Sequence, residues 1–248
     1  MLGSIARLLR LALGGFCVLI PFVPGHAQLA EPSTSDGLMN LPRIHVGDRN
    51  FGYYEPRSQW PGLPDGRTVV FVCWESPAIA ASSEAAIVHT AITEAWEKHS
   101  RLSFRGWQAC SPRSSGIRIQ VVDDSPQNGP HTVGLGRALD GVINGMVLNF
   151  TFHSWSPACA SEPERAACIK SIAVHEFGHA IGFAHEQNRP DRPGECREPP
   201  QGQDGSVLLT PYDPDSVMNY CNTKYNNFGI LSKFDVLSVQ QVYGAPKA

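Results

Sequence analysis

The residues best suited to chemistry lie in one stretch, His175-Glu176-Phe177-Gly178-His179-Ala180-Ile181-Gly182-Phe183-Ala184-His185. Residues four apart on a helix sit one turn above each other on the same face, so His175 and His179 can offer two imidazoles to one ion. A helix running straight on would carry His185 away. Glycine at position 182 lets the chain reverse and return a third imidazole to the same centre. Three neutral ring nitrogens with a fourth position open are the ligand set of a catalytic zinc, so His175, His179 and His185 are the expected ligands of one Zn2+. Glu176, beside a ligand without being one, is placed to hold a water and serve as general base. Histidines satisfied merely by hydrogen bonds would leave Gly182 and His185 unexplained. A structural zinc site would call for a fourth protein ligand, and none is signalled.

The helix that must present this pair is expected over residues 161 to 181. Ser161 would cap it, Glu164 would reply as in a capping box, Pro163 is allowed in the first turn, and Gly182 ends it in a left-handed turn. Upstream, residues 68 to 74 (TVVFVCW) form a short apolar β-branched run and read as a buried strand. Residues 83 to 99 read as a helix, with Val88, Ile92, Ala95 and Trp96 on one face. Strands are expected at 102 to 107 and, by alternation, at 117 to 122. Residues 132 to 139 are Gly-spaced, as suits an edge strand, and 145 to 152 alternate through Met146, Leu148, Phe150 and Phe152. A last helix is expected at 232 to 242, capped by Ser232 with Asp235 three residues on. The fold class is therefore α+β: a twisted mixed five-stranded sheet, three helices and a loop-rich C-terminal part.

Composition bounds the rest. The chain of 248 residues is 42% apolar and 17% charged, an ordinary globular balance, and no repeat or low-complexity tract interrupts it. The net charge of −3 without a Lys/Arg cluster offers no source for counterion release, so nucleic acid is excluded as a partner. Residues 1 to 27 read as a signal peptide, with Arg7 and Arg10, an apolar run from 11 to 23 and Gly25-His26-Ala27 before the cut. That run is shorter than the ~20 residues needed to span a bilayer. A secreted or periplasmic monomer, free of the membrane after signal removal, is expected. Six cysteines remain, which in an oxidising compartment implies three disulfides. Proximity favours Cys159 with Cys168, Cys73 with Cys110 and Cys196 with Cys221, although sequence alone does not choose among the pairings. Residues 28 to 59 lack periodicity and read as a tail or short pro-segment; 60 to 248 form the domain, with an upper part to 187 and a lower part from 188.

The extended stretch HEFGHAIGFAHEQNRPDR (175 to 192), followed by Ser216-Val217-Met218-Asn219-Tyr220, resembles the metzincin zinc endopeptidases and, within them, the astacin family. The resemblance implies that Met218 lies as a hydrophobic floor under the zinc ligands and that Tyr220 stabilises the oxyanion. It implies a secreted metalloendopeptidase acting on protein or peptide substrates laid along the edge strand. Trp60-Pro61 resembles the family's opening, and residues 231 to 244 its final helix. Glu186 matches a glutamate that engages the new N-terminus through water, the alternative being a solvated surface carboxylate. Val46-Gly47-Asp48 partly matches an inhibitory latch. Asn219, where the family commonly has His, the cysteine positions and residues 193 to 210 depart from the pattern. A matrixin-like metzincin and a catalytically silent binding module on the same fold are the alternatives; a silent module would need neither Glu176 nor Tyr220.

Overall fold

The computed structural model describes residues 52 to 247. The expected signal peptide, most of the expected tail and Asp48 lie outside the described residues. In chain order the elements are β1 (Gly52–Tyr54), β2 (Thr68–Trp74), the single-turn α1 (Pro77–Ala80), α2 (Ser83–Ile92), β3 (Leu102–Ala109), β4 (Ile117–Val121), β5 (His131–Thr132), β6 (Met146–Leu148), α3 (Glu164–Ala180), β7 (Val207–Leu209) and α4 (Lys233–Tyr243). Five strands form the main sheet in the order β3-β2-β4-β6-β5, parallel except for the antiparallel edge strand β5. The α+β class, the five-stranded mixed sheet and the three longer helices are as the sequence implies. No helix among the described residues is long and apolar enough to cross a membrane.

Parallel strands need crossover connections, and the helix between β2 and β3 supplies one. It is capped as Ser, Thr, Asp and Asn cap helices, here by Ser82, whose side chain accepts from Ala85 N. Its last turn, Thr93–Glu97, widens to a π-turn, and Trp96 within it is buried. The Trp96 indole donates to Val174 O of α3 at 3.0 Å and stacks on Phe183. The helix is thereby bolted to the one that carries His175.

Three expectations need correction. The start of α3 is not capped by Ser161; the helix begins at Glu164 after Pro163, too far on for that hydroxyl to reach, and the Glu162 carboxylate instead accepts from Arg165 Nε and Ala166 N. The edge strand does not run from 132 to 139. It is paired at His131 and Thr132, and the chain then turns into a 3-10 segment, Gly136–Leu139, because Gly136 (φ +53°) backs directly onto Ser58 O and Leu139 is drawn fully into the core. Finally, residues 52 to 59 are not a tail. Backbone pairing does what local pattern could not announce: β1 pairs with β7, Tyr54 bridges to Phe183, Glu55 N donates to Gly182 O and Ala184 N donates to Tyr53 O.

All three disulfides fall on the neighbouring pairs: Cys73–Cys110, Cys159–Cys168 and Cys196–Cys221. The first joins β2 to the end of β3. The second closes the loop leading into α3, and the third ties the 193 to 201 loop to the residue after Tyr220.

Candidate active site

Helix α3 ends where the histidine pair needs it to end. Its last carbonyls are taken by side chains from elsewhere: Trp60 Nε1 donates to Ala180 O at 2.7 Å and Tyr243 Oη to Ile181 O at 2.8 Å. Gly182 follows with φ +101°, a conformation that side-chain-bearing residues rarely adopt; a Cβ here would lie 2.5 Å from the Tyr54 ring. The chain then runs back as an extended segment held between β1 and the Met218 turn, where Glu186 N donates to Met218 O at 2.8 Å. That segment delivers His185.

The three rings converge. One ligand-type atom from each of His175, His179 and His185 falls within 4.8 Å of the others, and His185 Nε2 stands 3.1 Å from both His175 Nε2 and His179 Nε2. Each Nδ1 faces a backbone carbonyl: Val217 O at 2.7 Å for His175, Phe183 O at 2.8 Å for His179 and Gln201 O at 2.9 Å for His185. A carbonyl only accepts, so each Nδ1 carries the proton and each Nε2 presents a lone pair. Burial and the neighbouring imidazoles hold His175 down to about 3 and His179 well below its ordinary value; burial also lowers His185. Three neutral, convergent lone pairs repel one another unless a cation lies between them, and imidazole donors in this number suit zinc. The residues present thus fit the ion that the sequence implies.

Glu176 is 3% exposed, and its Oε2 has no hydrogen-bond partner in the protein although the residue lines the cavity. Burial alone pushes its carboxyl up to about 8. Tyr220 packs its ring 4.5 Å from that of His185 and 5.3 Å from that of His175, centroid to centroid. Its phenol is raised by burial first and by the Glu176 charge second. Met218 lies buried beneath, against Gly178: a Cβ at 178 would stand 2.3 Å from Met218 Sδ. His175, Glu176, His179, His185, Tyr220 and Met218 are therefore brought together, with Gly182 at the turn.

Sequence reasoning missed the supports. Asp235, marked there only as a helix cap, also accepts from Ser216 Oγ and Val217 N, and so fixes the carbonyl that orients His175. Burial raises its carboxyl to about 6. Gln187 is fully buried, and its Oε1 accepts from Tyr220 N at 3.1 Å. Asn219 is satisfied within the turn, donating to Asp213 O and Tyr212 Oη and accepting from Cys221 N. Only their place within the motifs could have signalled a supporting role for Gln187 and Asn219. Glu186 is not a solvated surface carboxylate: it is buried, 3.2 Å from Arg189 Nη1, and accepts from Asp213 N, with burial outweighing the arginine and raising it to about 8.

Two pockets open from Glu176 and Tyr220. One, of about 300 Å3, runs along residues 130 to 135 and reaches His179 and His185; the other, of about 550 Å3, lies over His175.

A sequence profile of astacin (peptidase family M12A) matches residues 164–195, which span α3, the turn and the third histidine. Bone morphogenetic protein 1 of Xenopus laevis is 38% identical over 91 residues, covering 29% of this chain and 13% of that protein. High choriolytic enzyme 2 of Oryzias latipes is 40% identical over 68 residues, 23% of this chain and 24% of that protein. The matched regions are thus under a quarter of the length of either curated relative. Among solved structures, myroilysin superposes with a TM-score of 0.55 at 17% identity, covering 79% of this chain and 100% of that chain. High choriolytic enzyme 1, a hatching enzyme zinc-protease from Oryzias latipes (medaka fish), gives 0.52 at 20% identity, covering 80% and 100%. At such identities the likeness is one of fold. The profile match is thus confined to the segment that carries the three histidines, and the solved structures share this chain's fold.

Proposed function

We propose that this protein is a secreted or periplasmic zinc-dependent endopeptidase. The observation that carries the reading is the convergence of three Nε2 lone pairs beside a buried carboxylate with one oxygen unpartnered in the protein. His175, His179 and His185 would hold the ion, which when bound supplies Lewis-acid activation of water and of the scissile carbonyl. Glu176 takes a proton from the attacking water as the new C–O bond forms, and passes it to the amine nitrogen as the amide C–N bond then breaks. Burial makes this carboxylate a better proton acceptor than a solvated one. Tyr220 keeps its phenolic proton and donates it as a hydrogen bond to the oxyanion, a type of contact worth about 3 kcal/mol. The edge strand β5 leaves main-chain groups for an extended peptide to pair with, as peptides do when they add to a sheet.

Retention of Glu176 and Tyr220 favours an enzyme over a silent binder. Three disulfides fit an oxidising compartment, and the names of the relatives fit a peptidase. The test is incubation of the zinc-loaded protein with a denatured protein, with and without a strong chelator. Fragments that vanish with chelator and return with added zinc are expected; equal fragmentation under both conditions would remove the zinc mechanism.

A further inference from the structure

The three histidines differ in what supports them. His175 is oriented by Val217 O of the buried Met218 turn, and His179 by Phe183 O, four residues on in the chain's own reversal. The partner of His185, Gln201 O, belongs instead to a loop whose residues 197 to 204 are all exposed, and it lies 16 residues away in the chain. A carbonyl on such a loop can aim a ring only if something holds the carbonyl. Resting on the zinc-peptidase reading, we propose that Asn188 is the positioning residue for His185: its side-chain amide clamps the Gln201 peptide group and thereby aims the third imidazole.

The clamp is complementary at both ends. Asn188 Nδ2 donates to Gln201 O at 2.7 Å, and Gln201 N donates to Asn188 Oδ1 at 3.0 Å. The other Nδ2 hydrogen goes to Asp204 Oδ1 at 2.9 Å. Only one orientation of the amide satisfies all three contacts, because the carbonyl and the carboxylate need a donor while the peptide N–H needs an acceptor. Gln201 O accepts from Asn188 and from His185 Nδ1 together, which uses both of its lone pairs. Directly after it, Gly202 (φ +66°) turns the loop, a conformation that side-chain-bearing residues rarely adopt.

Ligand and clamp share one short turn. Asn188 ends the 3-10 segment Glu186–Asn188 that follows His185, and its N–H donates to His185 O at 3.1 Å. The other ties on the loop grip it earlier: Cys196 is joined to Cys221, and Arg192 donates to Gln187 O and Glu198 O. Among the described residues, hydrogen bonds to the Gln201 backbone involve Asn188 and His185 alone. Without the clamp, the ring of His185 would lose a fixed acceptor at Nδ1, and its Nε2 would no longer point steadily at the centre shared with His175 and His179.

The test uses the full chain, with zinc affinity measured against a competing chelator and the ring N–H protons of the zinc-loaded protein followed by NMR. Wild type must first take up zinc; failure there overturns the peptidase reading and the proposal with it. Asn188→Ala removes both halves of the clamp. Asn188→Asp, nearly the same size, keeps the acceptor for Gln201 N but sets a carboxylate oxygen against Gln201 O. Asn188 is only half-buried, so neither change opens the core. Each variant is expected to weaken zinc binding about tenfold, at the lower end of what losing a ligand's supporting partner costs. The His185 Nδ1 proton alone should shift and exchange faster with water, while those of His175 and His179 keep their positions. Asp204→Ala leaves the Gln201 pair intact and should bind zinc within about threefold of wild type. A loss below about threefold in both Asn188 variants overturns the proposal. So does a change spread evenly over the three ring protons, which would mark a general loosening of the site.

Discussion

Within single residues, the site couples burial to charge in a way that makes its pH response calculable. Replacing Glu176 by Gln keeps the shape and removes the base, so chelator-sensitive cleavage should fall about 10²–10⁴-fold while zinc affinity, measured by titration, stays within a few-fold. Activity near wild type would end the general-base assignment. The metal-free protein should also show a bell-shaped stability profile. His175, lowered from 6.5 to about 3, and the likewise lowered His179 and His185 bind protons better unfolded, so they cost stability as pH falls below 6.5. Glu176 and Glu186, raised from 4.5 to about 8, bind protons better folded, so their contribution is whole below 4.5 and is lost as pH rises through 8. The urea midpoint of the chelated protein is expected to peak between about pH 4.5 and 6.5. Saturating zinc, which needs neutral imidazoles, should move that peak upward; a profile that rises steadily to pH 8 without metal would contradict the buried acids.

Among elements, the decisive contacts are close approaches that only glycine permits. Gly178 sits mid-helix between His175 and His179, where local propensity gives no reason for glycine, and the reason is Met218 Sδ packed against it. Gly178→Ala should therefore improve intrinsic helix propensity yet destabilise the protein and weaken zinc binding, because the added methyl displaces the Met218 turn and with it Val217 O, the partner of His175. Zinc titration and thermal unfolding check this, and a variant more stable than wild type with unchanged affinity would refute the packing argument. The strands and helices flagged by apolar runs and by alternation, at Thr68–Trp74, Ile117–Val121 and Lys233–Tyr243, formed where their patterns place them. The elements that escaped notice, β1, α1 and β7, are three or four residues each, too short for any period to register.

In the whole molecule, β1 is the piece that turns separate segments into one site, lying between the extended segment that delivers His185 and β7. A chain starting at residue 60 should unfold at lower urea concentration and bind zinc more weakly than one starting at 52, although every ligand is present in both; equal behaviour would show that β1 is dispensable. What residue types and spacing determined by themselves was the chemistry: a helical pair of imidazoles, a third beyond a glycine, a carboxylate between them, and enough apolar pattern to name an α+β sheet protein. These are local matters, decided within about one turn of helix or one strand. Tertiary structure alone decided that 52 to 59 pack into the fold, that the edge strand stops at Thr132, and that Asp235 and Gln187 hold the Met218 turn and Tyr220. Each of those depends on contacts between residues distant in the chain, whose cost in chain entropy is recovered only when the whole core assembles, and no local period records them.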